Sequence, residues 1–128
     1  MQRYLLVAAG AALGGMARYA LSSAATRAFG SGLPYGTLAV NVLGCFCAGA
    51  FVTAIASRGL GAEGARLFVL VGVLGGFTTF SAFGVETVAF LNSGAVSRAA
   101  ANGAANVVLG VGAVAVGGAA ARAIGWGG

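Results

Sequence analysis

The sequence predicts an all-α integral membrane protein with four transmembrane helices per subunit, the third broken near mid-membrane. Three observations carry that prediction. Of 128 residues, 59% are hydrophobic and 7% charged, whereas a soluble domain of this length carries about 25% charged residues to keep its surface wet. The apolar residues gather into four runs, 4–25, 38–56, 67–91 and 99–121, and each meets the roughly 20 residues needed to cross about 30 Å of hydrocarbon. The third run carries Gly75-Gly76-Phe77-Thr78-Thr79 near its middle, and paired glycines followed by paired β-branched threonines make poor helix.

The first run follows Met1-Gln2-Arg3 and has the outline of a signal peptide, one basic residue before an apolar stretch. Only further apolar spans come after it, so it is read as the first transmembrane helix of a multi-pass bacterial inner-membrane protein. Arg18, near its far end, is expected to snorkel to the interface. The connection over 27–36 contains the only proline, Pro34, in a Gly-Ser-Gly-Leu-Pro turn. In the second run Thr37 and Asn41 are four apart and share a helix face, with Gly44 and Cys45 continuing the stripe. Cys45 and Cys47 are two steps of about 100° apart, so they point to nearly opposite faces and cannot chelate one metal; they are read as buried packing residues. The connection over 57–66 carries Arg58, Glu63 and Arg66, and Asn92-Ser93-Gly94 makes the third turn. Asn102 and Asn106 repeat the four-residue spacing in the last run. No linker divides the chain, so residues 1–128 form a single four-helix transmembrane domain.

The net charge of +5 comes from seven arginines against Glu63 and Glu86, with no lysine or histidine. A nucleic-acid surface would gather those arginines on one face; here they are scattered, most of them where helices should meet water and lipid headgroups, so no nucleic-acid partner is expected. Across four spans, Arg3, Arg58, Arg66 and Arg122 fall on one side and Arg27 and Arg98 on the other. That is a weak bias for the rule that sets orientation, and it leaves insertion in both orientations open. An enzyme is not expected either: the cysteines are misplaced and the two carboxylates lie in different segments, so no catalytic constellation can be drawn. The 24 glycines include pairs four apart, Gly10/Gly14 and Gly72/Gly76, which in lipid let helix backbones approach closely.

What remains is a set of uncharged polar groups at membrane depth, and the residues alone leave two readings for each. The amides and hydroxyls of Thr37, Asn41, Asn102 and Asn106 are either glue between helices or donors that replace the water of a small, strongly hydrated anion. The threonine pair either back-bonds to its own helix in a kink or marks a break whose freed carbonyls need protein, water or a cation. Phe80 and Phe83, three apart on one face, either pack or aim positive ring edges into a narrow path, where they would hold an anion weakly enough to let it leave. Glu86 is the only carboxylate inside a span; beside an anion path it is expected to be protonated, hydrogen-bonded or turned away.

Three segments carry a resemblance: Gly14-Gly15-Met16-Ala17-Arg18-Tyr19, Gly36-Thr37-Leu38-Ala39-Val40-Asn41-Val42-Leu43-Gly44, and residues 75–83. They resemble the signature segments of the Fluc/CrcB family of fluoride channels, and length, span number and motif spacing fit along the whole chain. The resemblance implies an antiparallel, dual-topology homodimer with two pores that export cytoplasmic fluoride down its electrochemical gradient. It implies a structural sodium ion, Na+, at the dimer centre, bound by the backbone carbonyls of Gly75 and Thr78. It places Phe80 and Phe83 as pore-lining rings, and Asn41, Thr37 and Ser81 in a polar fluoride track. In the last span, where the family pattern has hydroxyl side chains, this sequence has Asn106, Gly110 and Val114. The competing reading is a small four-helix proton-coupled multidrug exporter, which needs a membrane-embedded carboxylate in its first helix; the first run has none.

Overall fold

Each apolar run becomes a long helix because lipid offers no partner for a bare N–H or C=O, and a helix pairs them within one segment. The computed structural model describes residues 1–30, 32–56 and 63–126, and among these residues all regular structure is helical. Helix α1 spans Gln2–Phe29 and α2 spans Tyr35–Ala56. The third membrane-length segment, Glu63–Asn92, begins with a single turn, α3 (Glu63–Ala65), and continues through a π-wound stretch (Arg66–Leu74) and α4 (Gly75–Phe77). After two extended residues the same segment resumes as α5 (Phe80–Asn92), and α6 runs over Val96–Ala123. Four segments are long and apolar enough to cross a membrane. Arg58, counted above in the charge balance, lies outside the described residues.

The helices associate through small residues, since lipid tails give no hydrophobic force between them. Along α1 and the third segment Gly10 faces Gly72, Gly14 abuts the Val73 and Phe77 backbone, and Gly76 abuts that of Ala11. A methyl group at Gly72 would sit 2.9 Å from the Gly10 Cα, and one at Gly76 would sit 2.6 Å from the Ala11 carbonyl oxygen. The other main seam joins α2 to α6, where Gly49 abuts the Val114 backbone and Gly117 abuts that of Phe46. Such contacts exclude any Cβ, so the four helices form two tight pairs that α1–α2 and α5–α6 contacts join into one bundle. Gly94, at φ 75°, lets the chain reverse within three residues between α5 and α6, and that shortness makes the two helices neighbours.

The π winding places the Gly75 N–H within reach of the Leu70 carbonyl, five residues back. Such wide turns are uncommon and accompany functional sites; this one leads directly into the segment described next. At the far end Arg3 pairs with Glu63 at 3.1 Å on the exposed surface, so the chain start and the start of the third segment share one end of the bundle. One expectation needs correcting: Cys45 is half-buried but Cys47 is exposed, because the opposite faces on which the two cysteines lie are not both covered.

Candidate functional site

Thr78 and Thr79 interrupt the third segment. Both have extended backbone, φ −76° with ψ 157° and φ −149° with ψ 114°. The two threonines behave differently. Thr78 back-bonds to its own helix, its Oγ1 donating to the Leu74 carbonyl at 2.9 Å. Thr79 instead starts a new helix: its Oγ1 accepts the Ala82 N–H at 3.2 Å, as an N-cap hydroxyl does, and lies 3.2 Å from Ser81 Oγ.

The consequence lies in where the main-chain donors go. In an unbroken helix the Thr79 N–H would serve the Gly75 carbonyl and the Ala82 N–H would serve the Thr78 carbonyl. Here the first is given to Asn41 Oδ1 at 2.8 Å and the second to Thr79 Oγ1. The carbonyls of Gly75 and Thr78 thus lose their helical donors, and in a membrane-length segment a carbonyl without a partner is costly whether or not protein covers it.

Asn41 holds the interruption from α2. Its Oδ1 accepts from the Thr79 N–H, and its Nδ2 donates to the Thr79 carbonyl at 3.1 Å and to Asn106 Oδ1 of α6 at 2.9 Å. From there the hydrogen bonds continue. Asn106 Nδ2 donates to the Asn102 carbonyl and to Asn102 Oδ1, both at 3.0 Å. Asn102 Nδ2 donates to Thr87 Oγ1 at 3.0 Å, and Thr87 Oγ1 to the Phe83 carbonyl at 2.8 Å.

Two cavities meet at Thr79, which lines both. The larger, about 470 Å³, is lined by Thr37, Ser81 and Glu86 together with Arg18 and Ser22 of α1. Thr37 is buried and its Oγ1 donates to Glu86 Oε1 at 2.5 Å; Glu86 Oε2 is buried without a hydrogen-bond partner among the described residues. The smaller, about 260 Å³, is lined by Asn41, Asn106, Phe80, Phe83, Cys45 and Thr78. The Phe80 and Phe83 rings are 5.2 Å apart and tilted by 59°. Phe80 is 82% exposed on the single chain, and Gly75 and Ser81 are exposed beside it.

Of the residues singled out in the sequence, Thr37 and Ser81 thus meet in the larger cavity, and Asn41, Phe80 and Phe83 in the smaller one, with Thr78 at its wall. Gly75 lines neither. Sequence reasoning missed Thr79, whose position three residues before Ala82 at a helix start was a legible cap signal. It also missed Thr87, for which no local pattern exists. Arg18, expected to snorkel to the interface, also lines the larger cavity.

Residues 5–118 match the family described as CrcB-like protein, Camphor Resistance (CrcB). A protein of Opitutus terrae named fluoride-specific ion channel FluC is 46% identical over 112 residues, covering 85% of this chain and 84% of its own length. Proteins of the same name from Thermus thermophilus and Caulobacter vibrioides are 50% identical over 99 residues and 45% over 115. Those alignments cover 77% and 89% of this chain and 78% and 91% of the relatives.

Proposed function

The chain belongs to the CrcB-like protein family, a family of multi-pass bacterial membrane proteins that are not enzymes, and from that premise we propose that it is a fluoride-selective ion channel. Cytoplasmic fluoride leaves down its electrochemical gradient, and a negative-inside potential contributes about 2.3 kcal/mol per charge per 100 mV. The observation that carries the reading is the pairing of Asn41 with the interrupted backbone at Thr79, a residue that lines both cavities. Thr37 and Ser81 on one side, and Asn41, Phe80 and Phe83 on the other, form the fluoride path. Hydroxyl and amide donors replace lost water, and ring edges stabilise the anion without trapping it. No charged side chain lines the smaller cavity among the described residues, so nothing there binds an anion too tightly for conduction.

The working unit in this reading is an antiparallel, dual-topology homodimer with two pores. Its support is the surface beside the interruption: the extended backbone of half-buried Thr78 and buried Thr79 is flanked by exposed Gly75, Phe80 and Ser81, near the middle of a membrane-length segment. Non-helical backbone at that depth must be covered by protein or line a wet cavity. A second copy, related by a twofold axis, covers it with the same surface, and the weak arginine bias permits the opposite insertion.

The carbonyls deprived of helical donors, those of Gly75 and Thr78, fit a structural sodium ion. They are neutral oxygens, and no group of three or more His, Cys, Asp or Glu that could hold a metal occurs among the described residues, a ligand set suited to a monovalent hard cation. The ion would supply positive charge to main-chain oxygens that no N–H reaches. Purified protein reconstituted into liposomes and followed with a fluoride electrode tests the function. Fluoride release that leaves chloride behind is expected; drug–proton exchange without fluoride release would replace this reading with that of an exporter.

A further inference from the structure

Several buried glycines of this bundle serve to let backbones touch. At Gly10, Gly14, Gly49 and Gly117 the atoms nearest to an added Cβ are all backbone atoms of the facing segment, the ordinary use of glycine between membrane helices. Gly44 of α2 is different. It is buried, and the atoms nearest to a Cβ there belong to two side chains at the interruption: the Cβ would overlap the Thr78 Cγ2 methyl and lie 3.2 Å from Phe77 Cδ1. The space left by Gly44 is therefore a seat for the Thr78 methyl.

The methyl is not free to leave that seat. The Thr78 N–H and Oγ1 both donate to the Leu74 carbonyl, at 3.0 and 2.9 Å; the hydroxyl bond fixes χ1, and with χ1 fixed the methyl has one direction. Thr78 is thus held at two points, its hydroxyl by the end of its own helix and its methyl by α2. Three residues earlier on α2, Asn41 holds Thr79 through the Thr79 N–H and carbonyl. Positions 41 and 44 share a helix face, so one face of α2 grips both residues of the interruption, Thr79 by hydrogen bonds and Thr78 by shape. Resting on the structural-sodium reading above, we infer that Gly44 is a positioning residue for that ion: by seating the Thr78 methyl it fixes the Thr78 backbone, and with it the carbonyl that binds the ion. Only neutral oxygens are offered there, so no carboxylate holds the cation when one of them shifts. Serine at position 78 would keep the hydroxyl but leave the seat empty, and valine would fill the seat but lose the hydroxyl.

The test moves one methyl across the contact. Wild type, Gly44→Ala, Thr78→Ser and the double variant Gly44→Ala/Thr78→Ser are purified as full-length protein, and the melting temperature in detergent is followed as sodium replaces N-methylglucamine. The readout is the sodium concentration that gives half of the full stabilisation. Alanine is the better helix former, so a loss in Gly44→Ala does not come from α2 itself. That concentration is expected to rise at least about fivefold in Gly44→Ala, the lower end of the cost of forcing a methyl into filled space, and by less in Thr78→Ser, which only empties the seat. Independent effects would multiply in the double variant. Here the alanine methyl takes the place of the one serine lacks, so the double variant should need less sodium than Gly44→Ala alone; if Gly44→Ala does not fold, the double variant should restore folding. A Gly44→Ala protein that melts lower but needs no more sodium than wild type would make Gly44 a packing residue and overturn the inference. So would a double variant no better than Gly44→Ala. A wild-type melting temperature indifferent to sodium would strike at the sodium reading itself and take the inference with it.

Discussion

Replacing Asn41 by aspartate changes one atom and should stop the channel. In Asn41→Asp the carboxylate still accepts the Thr79 N–H that Asn41 Oδ1 receives at 2.8 Å, so the interruption keeps one of its ties to α2. The other side-chain atom becomes an oxygen facing two acceptors, the Thr79 carbonyl and Asn106 Oδ1, which Asn41 Nδ2 reaches at 3.1 and 2.9 Å. Leaving those two acceptors unpaired costs about 1–3 kcal/mol each, less where lipid-embedded partners rearrange, so the protein should assemble with a lowered melting point. An anion touching position 41 would then lie about 4 Å from a negative charge, a repulsion of about 4 kcal/mol at an effective dielectric of 20, or about a thousandfold in rate. Fluoride efflux from liposomes is the assay, with size-exclusion chromatography to verify the dimer. Wild-type efflux from a properly assembled Asn41→Asp protein would remove Asn41 from the path.

Phe80→Ile and Phe83→Ile retain bulk but lose the ring quadrupole; fluoride efflux should fall at least tenfold while the melting temperature moves by only a few degrees, and the opposite ordering would return both rings to packing. Exchanging sodium for a bulky organic cation throughout purification and reconstitution should weaken the dimer and slow fluoride efflux together. Indifference of both, with exchange verified by elemental analysis, would refute a structural ion at Gly75 and Thr78. Gly72→Ala places a methyl 2.9 Å from the Gly10 Cα, and such overpacking costs about 1–3 kcal/mol; a thermal melt in detergent matching the wild type would mean that the α1 seam yields more easily than described.

The four spans were legible because lipid imposes a long apolar run on each, and the glycine pairs because close helix contact demands small residues at a spacing of four. Gly10/Gly14 and Gly72/Gly76, visible as separate patterns, prove to line one seam, in which Gly10 meets Gly72 directly. The amides were legible only as candidates. Nothing in the spacing of Asn41, Asn102 and Asn106 says that three side chains from two helices join Thr87 of a third in one directed chain, because that depends on how α2, α5 and α6 converge. The π winding over Arg66–Leu74 was equally hidden, since Leu, Val and Phe fit an α-helix as readily. That Arg18 lines a cavity was hidden as well, because position along a span does not say whether a cavity reaches the residue.

The most direct measurement is the reversal potential of the reconstituted protein in a planar bilayer, with a tenfold fluoride gradient and equal chloride on both sides. A fluoride-selective channel reverses at about 59 mV, the Nernst value for fluoride at that gradient, with the sign of an anion current. Reversal at zero, or no current under conditions where the protein is shown to be inserted, would contradict the assignment of Asn41, Phe80 and Phe83 to a fluoride path.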